Sequence, residues 1–148
     1  MGRLLRVLIV EDSADDAVLL VRELKRAGYD LIFERVDTAA AMDAALDIPT
    51  WDVILCDYVM PQFDALQALK LYKARALDIP FIVLSGVLGE YRSAETRKAG
   101  AHDYIMKSNL AQLVPAIERE MLEARTRQAG QTEKPKTTVL KRIQTRWR

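Results

Sequence analysis

The sequence contains one cysteine, one histidine and no long apolar run among its 148 residues. The single cysteine, Cys56, excludes an intramolecular disulfide, and with only His102 beside it no Cys/His metal cluster can form. Any metal site must therefore use oxygen ligands. No apolar run approaches the ~18 to 20 residues that span a bilayer, and no small-residue cleavage site follows the first ten residues. We therefore expect a cytoplasmic protein.

Charge is distributed unevenly along the chain. Residues 1–128 carry 16 Lys and Arg against 20 Asp and Glu, whereas residues 129–148 carry six basic residues and one acidic residue. Hydrophobic residues make up 50% of the chain, which is enough for one globular domain with its own core. We predict an acidic domain at 1–128, which does not bind DNA directly, and a basic, flexible C-terminal tail at 129–148. A polar linker at 128–136 leads into the tail. The alternative for residues 137–148 is a basic amphipathic segment that binds a partner, an anionic membrane or nucleic acid.

Five apolar runs alternate with five helical patterns. The runs occupy residues 5–10, 31–36, 53–56, 81–84 and 104–106. Helices are predicted to start at the capping residues Ser13 and Thr38, after Pro61, near residue 90, and at Ser108 or Asn109. This alternation predicts an α/β fold with a doubly wound, five-stranded parallel sheet and helices on both faces.

Two of the predicted helices differ in how much apolar surface they can bury. The helix at 90–98 has only Tyr91 and Ala94 to bury, so we expect it to be the least firmly held. The last helix has a full apolar stripe, and its outer side is predicted to carry Arg119/Glu123 and Glu123/Arg127 pairs at i,i+4.

Polar side chains follow four of the predicted strands. Glu11 and Asp12 follow the first strand, Asp57 the third, Ser85 the fourth and Lys107 the fifth. Because the carboxyl ends of parallel strands lie at one edge of the sheet, we expect these side chains to lie close together. Three carboxylates repel one another unless a cation lies among them, and oxygen ligands suit Mg²⁺. The set fits phosphoryl transfer to the carboxylate of Asp57, with Lys107 and Ser85 binding phosphoryl oxygens.

Four motifs, at residues 8–13, 56–61, 83–86 and 100–107, resemble the receiver domain of two-component response regulators in order and spacing. The resemblance covers about residues 4 to 127 and implies a flavodoxin-like sheet with strand order 2-1-3-4-5. It also implies that a phosphohistidine on a partner histidine kinase or phosphotransfer protein donates the phosphoryl group. The receiver would catalyse its own phosphorylation and slow dephosphorylation, and would not be an enzyme acting on other substrates.

The resemblance implies a role for the polar residues that follow the strands. Asp57 is the phosphoacceptor, and Lys107 corresponds to the lysine that the family places beside it. Asp12 binds Mg²⁺ directly and Glu11 binds it through water, with the backbone carbonyl of Val59 as a further ligand.

The resemblance also implies a conformational switch. Ser85 moves toward the new phosphate, and Tyr104 turns inward into the vacated space. A downstream protein partner would then bind the face formed by the helix at 90–98, the fifth strand and the last helix, and a homodimer is possible.

The chain departs from the usual family pattern at two places. Ser108 follows Lys107, where most receivers have proline, and we expect a trans peptide bond there because a cis bond without proline costs about 2.5 to 4 kcal/mol. The second departure is the sequence at 107–110 together with that at 86–90, which resembles receivers associated with hybrid sensor kinases. Val59 and Val87 offer no group to orient an attacking water, so we expect a persistent acyl phosphate.

Three other functions are alternatives to phosphoryl transfer at a receiver. An aspartyl-phosphate phosphatase needs a second acid where the chain has Val59. A flavodoxin-like cofactor protein needs a Gly-rich phosphate loop where the chain has Glu11 and Asp12. The remaining alternative is a receiver-like protein-binding module that works without phosphorylation.

Overall fold

The computed structural model describes residues 2–48, 50–86 and 90–137. Its strands are β1 (Arg3–Val10), β2 (Tyr29–Val36), β3 (Val53–Asp57), β4 (Phe81–Ser85) and β5 (Asp103–Met106). Its helices are α1 (Ala14–Arg26), α2 (Ala39–Ala45), α3 (Ala65–Ala74), α4 (Glu90–Lys98) and α5 (Leu113–Thr137), with a short 3₁₀ helix at Lys107–Gln112. None of the helices in these ranges is both long and apolar enough to cross a membrane.

The five strands form one parallel sheet in the order β2-β1-β3-β4-β5, which confirms the predicted doubly wound, flavodoxin-like α/β fold. Strands β3 and β4 are buried along their whole length because helices cover both faces of the sheet. One core cluster packs Leu8 and Ile54 against α2 and α3, and the other packs Leu5 and Leu55 against α1 and α5. Strand β2 lies at the edge and is largely exposed.

The predicted capping residues begin the first two helices. The Ser13 side chain accepts a hydrogen bond from the Asp16 amide, and the Thr38 side chain accepts one from the Ala41 amide. Asp64, which the sequence interpretation did not single out, begins α3 through a reciprocal capping box with Gln67. These caps fix the first turns of the helices next to the carboxyl edge of the sheet.

Two helices differ from the sequence prediction in detail. Among the α4 side chains that the structure describes, residues 92–98, Thr96 is buried and its hydroxyl donates to backbone carbonyls of the preceding turn, whereas Ala94 is exposed. The predicted burial of Tyr91 lies outside these described side chains. The last helix does not begin at Ser108 or Asn109, because a 3₁₀ helix intervenes and Asn109 has non-helical backbone angles. Pro115 then falls in the first turn of α5, where a missing N–H breaks no helical hydrogen bond.

Helix α5 continues past residue 128, so the predicted linker at 128–136 is helical. Five of the nine residues in this segment are glutamine, glutamate or lysine, which are good helix formers, whereas Gly130 and Pro135 are poor ones. The start of the segment is also tied to the domain, because Gln128 donates a 3.1 Å hydrogen bond to the carbonyl of Asp78. The division into a domain and a flexible tail stays a prediction, and residues 138–148 lie outside the described part of the chain.

Candidate functional site

The carboxyl edge of the sheet brings together the polar residues that the sequence predicted. Asp57 is the last residue of β3 and Ser85 the last residue of β4, while Glu11 follows β1 and Lys107 follows β5. The strand register places Asp57 beside Leu84 and Ser85 beside Met106, so the ends of the three strands are level.

Three carboxylates form a compact acidic cluster at this edge. Oxygen atoms of Glu11, Asp12 and Asp57 all lie within 4.8 Å of one another. Glu11 is 1% exposed and Asp57 8% exposed, whereas Asp12 is open to solvent. Glu11 is oriented by the amide of Ser13, which donates a 3.2 Å hydrogen bond to Oε2. A carboxylate set that is open on one side fits Mg²⁺, a hard cation that retains several waters. The carbonyl of Val59 as a further ligand stays a prediction.

The ammonium group of Lys107 lies among carboxylates on the same edge. Its Nζ is 2.9 Å from Glu11 Oε1 and 3.3 Å from Asp57 Oδ1. The shortest distance, 2.7 Å, is to Oδ2 of Asp16 in the first turn of α1. Burial by itself lowers the pKa of Lys107, but the hydrogen bonds to Asp16 and Glu11 outweigh burial and raise it. Lys107 therefore remains positively charged beside Asp57.

The protonation of Glu11 is shifted by its surroundings. Burial raises the pKa of Glu11 to about 7, and the negative charge of Asp57 acts in the same direction, although Lys107 opposes both. A nearby cation favours the charged form of a carboxyl group. A bound cation would therefore ionise Glu11 in spite of its burial and the neighbouring Asp57 carboxylate.

The predicted switch residues lie on neighbouring strands. Ser85 is 1% exposed at the end of β4, and Tyr104 is half-buried on β5. The ring of Tyr104 meets the ring of Tyr58 edge-on, with 6.5 Å between centroids. The peptide bond between Lys107 and Ser108 is trans, as expected, since the described residues contain no cis peptide bond.

Sequence reasoning missed four residues that contact this site or its surroundings. Asp16 binds Lys107, and Tyr58, the neighbour of Asp57, donates a 2.6 Å hydrogen bond to Glu95 in α4. The fourth is Asp103 at the start of β5. Asp16 had one visible signal, its place in the first turn of a helix that starts at the acidic edge, but an acid there is also explained by the helix dipole.

Asp103 joins the three elements of the predicted partner-binding face. It is 6% exposed on β5, and its carboxylate pairs with Arg97 of α4 at 2.8 Å and with Arg119 of α5. Both arginines, with Tyr104, line a groove of about 490 Å³ on this face. The groove is therefore lined by a tyrosine ring and by two guanidinium groups that share one buried carboxylate.

Comparison with known families assigns the chain. Residues 7–118 match the family described as Response regulator receiver domain. The chain is also 30% identical over 142 residues to the transcriptional regulatory protein PdtaR of Mycobacterium tuberculosis, covering 95% of this chain and 67% of PdtaR. It is 28% identical over 102 residues to the transcriptional regulatory protein PhoP of Bacillus subtilis, covering 69% of this chain and 42% of PhoP. The chain belongs to the receiver domain family of two-component response regulators.

Solved structures show the same fold. A CheY-like response regulator receiver domain protein from Methanospirillum hungatei is 27% identical, with a TM-score of 0.70, and the match covers 84% of this chain and 98% of that one. FixJ-N is 27% identical, with a TM-score of 0.69, covering 79% and 93% of the two chains. The two curated relatives above are transcriptional regulators by name, so the resemblance to receivers of hybrid sensor kinases stays a prediction.

Proposed function

We propose that Asp57 accepts a phosphoryl group from a phosphohistidine on a partner histidine kinase or phosphotransfer protein. The observation that carries the proposal is the surroundings of Asp57. Its carboxylate belongs to a cluster of three carboxylates within 4.8 Å and lies 3.3 Å from the ammonium group of Lys107. Phosphorylation of an aspartate is general for the receiver family.

The transfer needs one nucleophile and a means of stabilising negative charge. A carboxylate oxygen of Asp57 forms a bond to phosphorus as the N–P bond of the phosphohistidine breaks, and the imidazole nitrogen leaves with the bonding electrons. Lys107 lies on the Asp57 side of the site and stabilises the charge on the phosphoryl oxygens, with the Ser85 hydroxyl as a hydrogen-bond partner. The domain thus catalyses its own phosphorylation and slow dephosphorylation without acting on other substrates.

The acidic cluster would hold the metal. Asp12 and Asp57 would bind Mg²⁺ directly, Glu11 through water, and the Val59 carbonyl would be a further ligand. When bound, Mg²⁺ supplies charge neutralisation for the transferring group. The chemistry of the donor set supports this part of the proposal, because all three side chains offer the oxygen ligands that Mg²⁺ prefers.

The output is proposed to be a switch at the face formed by α4, β5 and α5. Ser85 moves toward the phosphate and Tyr104 turns inward, which changes the groove that Tyr104 lines with Arg97 and Arg119. A downstream protein, or a second copy of the chain, would bind this face. The cytoplasmic location expected from the sequence belongs to the same proposal.

Intact-protein mass spectrometry tests the phosphoacceptor. The protein is incubated with acetyl phosphate, with and without Mg²⁺, as wild type and as Asp57→Asn. We expect one added phosphoryl group that depends on Mg²⁺ and is absent from the variant, whereas the control Asp30→Asn, an exposed position on β2, is modified like wild type. A wild type that binds Mg²⁺ but takes up no phosphoryl group from acetyl phosphate or a histidine kinase would favour the phosphorylation-independent binding module.

A further inference from the structure

The Lys107 ammonium group contacts a carboxylate that lies outside the acidic cluster. The closest oxygen to Nζ is Oδ2 of Asp16, at 2.7 Å, ahead of Glu11 at 2.9 Å and Asp57 at 3.3 Å. Asp16 and Lys107 are 91 residues apart in the chain, and their contact joins the start of α1 to the end of β5. Lys107 is 20% exposed, so it reaches these carboxylates from a largely buried position.

An ammonium group has three N–H donors that rotate together at the end of a flexible four-carbon chain, so neighbouring acceptors decide where they point. Asp16 and Glu11 lie at hydrogen-bonding distance from Nζ, at 2.7 and 2.9 Å, and can accept two of them, which leaves the third for Asp57 at 3.3 Å. Without Asp16, the lysine side chain loses its shortest contact and gains freedom to leave the site.

The backbone of Asp16 is itself fixed. Its amide donates a 3.1 Å hydrogen bond to Oγ of Ser13, the residue that caps α1. The carboxylate therefore projects from a rigid first turn rather than from a loop, and it can hold a mobile partner in one place. The neighbouring Asp15 belongs to the same turn and is exposed.

We propose that Asp16 is a positioning residue that holds Lys107 beside Asp57 for phosphoryl transfer. The inference rests on the proposed function, in which Glu11 and Asp57 both serve the metal. Asp16 is then the carboxylate that stays available to Lys107 when Mg²⁺ is present. It acts through the lysine and does not contact the phosphoryl group.

The first test compares Asp16→Asn with Asp15→Asn, which removes the same charge from the same helix turn. The rate of acyl phosphate formation is measured with acetyl phosphate at saturating Mg²⁺. We expect Asp16→Asn to lower the maximal rate about tenfold, because Glu11 still holds Lys107 and the loss should stay below the ~100-fold that a 1 Å misplacement can cost. The donor concentration for half-maximal rate should change little. Asp15→Asn retains the wild-type rate, and Asp16→Glu recovers part of the loss because it keeps the carboxylate.

A double variant tests whether Asp16 acts through Lys107. In a Lys107→Gln background, we expect Asp16→Asn to cause no further loss of rate. A separate readout needs no phosphorylation. In metal-free protein, we expect an amine-acetylating reagent to modify Lys107 faster in Asp16→Asn than in Asp15→Asn. Peptide mass spectrometry measures the extent of acetylation, with the exposed Lys25 as the internal reference. If Asp16→Asn does not fold, Asp16→Ser takes its place with the same expected results.

Several outcomes would overturn the inference. A wild type that is not phosphorylated at all removes both this inference and the proposed function. A phosphorylated wild type whose rate is unaffected by Asp16→Asn, or affected equally by Asp15→Asn, removes the positioning role alone. An equal loss in the presence and absence of the Lys107 side chain also removes it, because the effect would then be a general one of charge or folding.

Discussion

The hydroxyl of Tyr58 donates a 2.6 Å hydrogen bond to Oε1 of Glu95, and this contact attaches α4 to the residue that follows Asp57. The guanidinium group of Arg92, one turn earlier in α4, lies 4.8 Å from the centroid of the Tyr58 ring. The hydrogen bond to Glu95, with burial as the second cause, raises the pKa of Tyr58 to about 12. The phenol therefore remains a donor throughout the physiological pH range.

Replacement of Glu95 by alanine should lower the local stability of α4, whereas the stability of the sheet should not change. A typical hydrogen bond contributes about 0.5 to 1.5 kcal/mol, so we expect amide exchange in α4 to accelerate by up to about tenfold. The pKa of the Tyr58 phenol should fall toward its ordinary value of 10.0, as followed by ultraviolet absorbance. Lys98→Ala, an exposed position in the same helix, is the control. Equal exchange rates in the two variants would show that the Tyr58 contact does not hold α4.

The framework of the site was predictable from sequence because it depends on local patterns. Buried parallel strands appear as apolar runs, and the residue after each run must lie at the carboxyl edge of the sheet. That logic correctly brought Glu11, Asp57 and Lys107 together. The positions of these site residues can therefore be predicted from the order of apolar runs and polar residues along the chain.

The contacts that tie this edge to the helices were not predictable in the same way. Arg119 illustrates the reason: the i,i+4 rule assigned it to Glu123, whereas in the structure it pairs with Asp103 of β5. Helical spacing describes neighbours on one helix, but it contains no information on which side chain a packed strand presents. The contact between Lys107 and Asp16 was missed for the same reason.

The two assignments for Arg119 predict different stability effects. Asp103→Asn should lower the free energy of unfolding by about 1 to 3 kcal/mol, because two arginines lose a buried, charged hydrogen-bond partner. Glu123→Gln, at an exposed position of α5, should change it by less than about 0.5 kcal/mol. Urea unfolding measures both variants. A larger loss for Glu123→Gln would favour the helical pair over the contact between α5 and β5.

Glu11 should give the metal-free protein a distinctive dependence on pH. Its pKa is about 7 in the folded protein, against an ordinary value of 4.5, so between these values the folded state holds a proton that the unfolded state has lost. The contribution of Glu11 to stability is therefore fully present below about pH 4.5 and is lost as the pH rises through about 7.

The variant Glu11→Gln isolates this contribution, because glutamine does not titrate. We expect wild type to lose stability relative to the variant as the pH rises from about 5 to about 8, by a few kcal/mol at most. Urea unfolding in a chelating buffer measures the difference, with the exposed position Glu34→Gln as the control. A difference that is constant with pH, or that changes in the opposite direction, would contradict the raised pKa of Glu11.

Val59 should set the lifetime of the acyl phosphate. Val59 is 54% exposed two residues after Asp57, and its two methyl groups can neither donate a hydrogen bond to an attacking water nor accept one from it. We therefore expect the wild-type acyl phosphate to outlast the scale of seconds in Mg²⁺ buffer, as followed by mass spectrometry after removal of the donor.

Val59→Thr and Val59→Ala separate two explanations for that lifetime. Threonine has nearly the volume of valine and adds a hydroxyl that can orient water, so it should shorten the lifetime several-fold. Alanine opens the space without adding a polar group, so it should leave the lifetime close to that of wild type. Equal shortening by both variants would mean that valine protects the acyl phosphate by its bulk. Loss of the wild-type acyl phosphate within seconds would contradict a role for Val59 in either form.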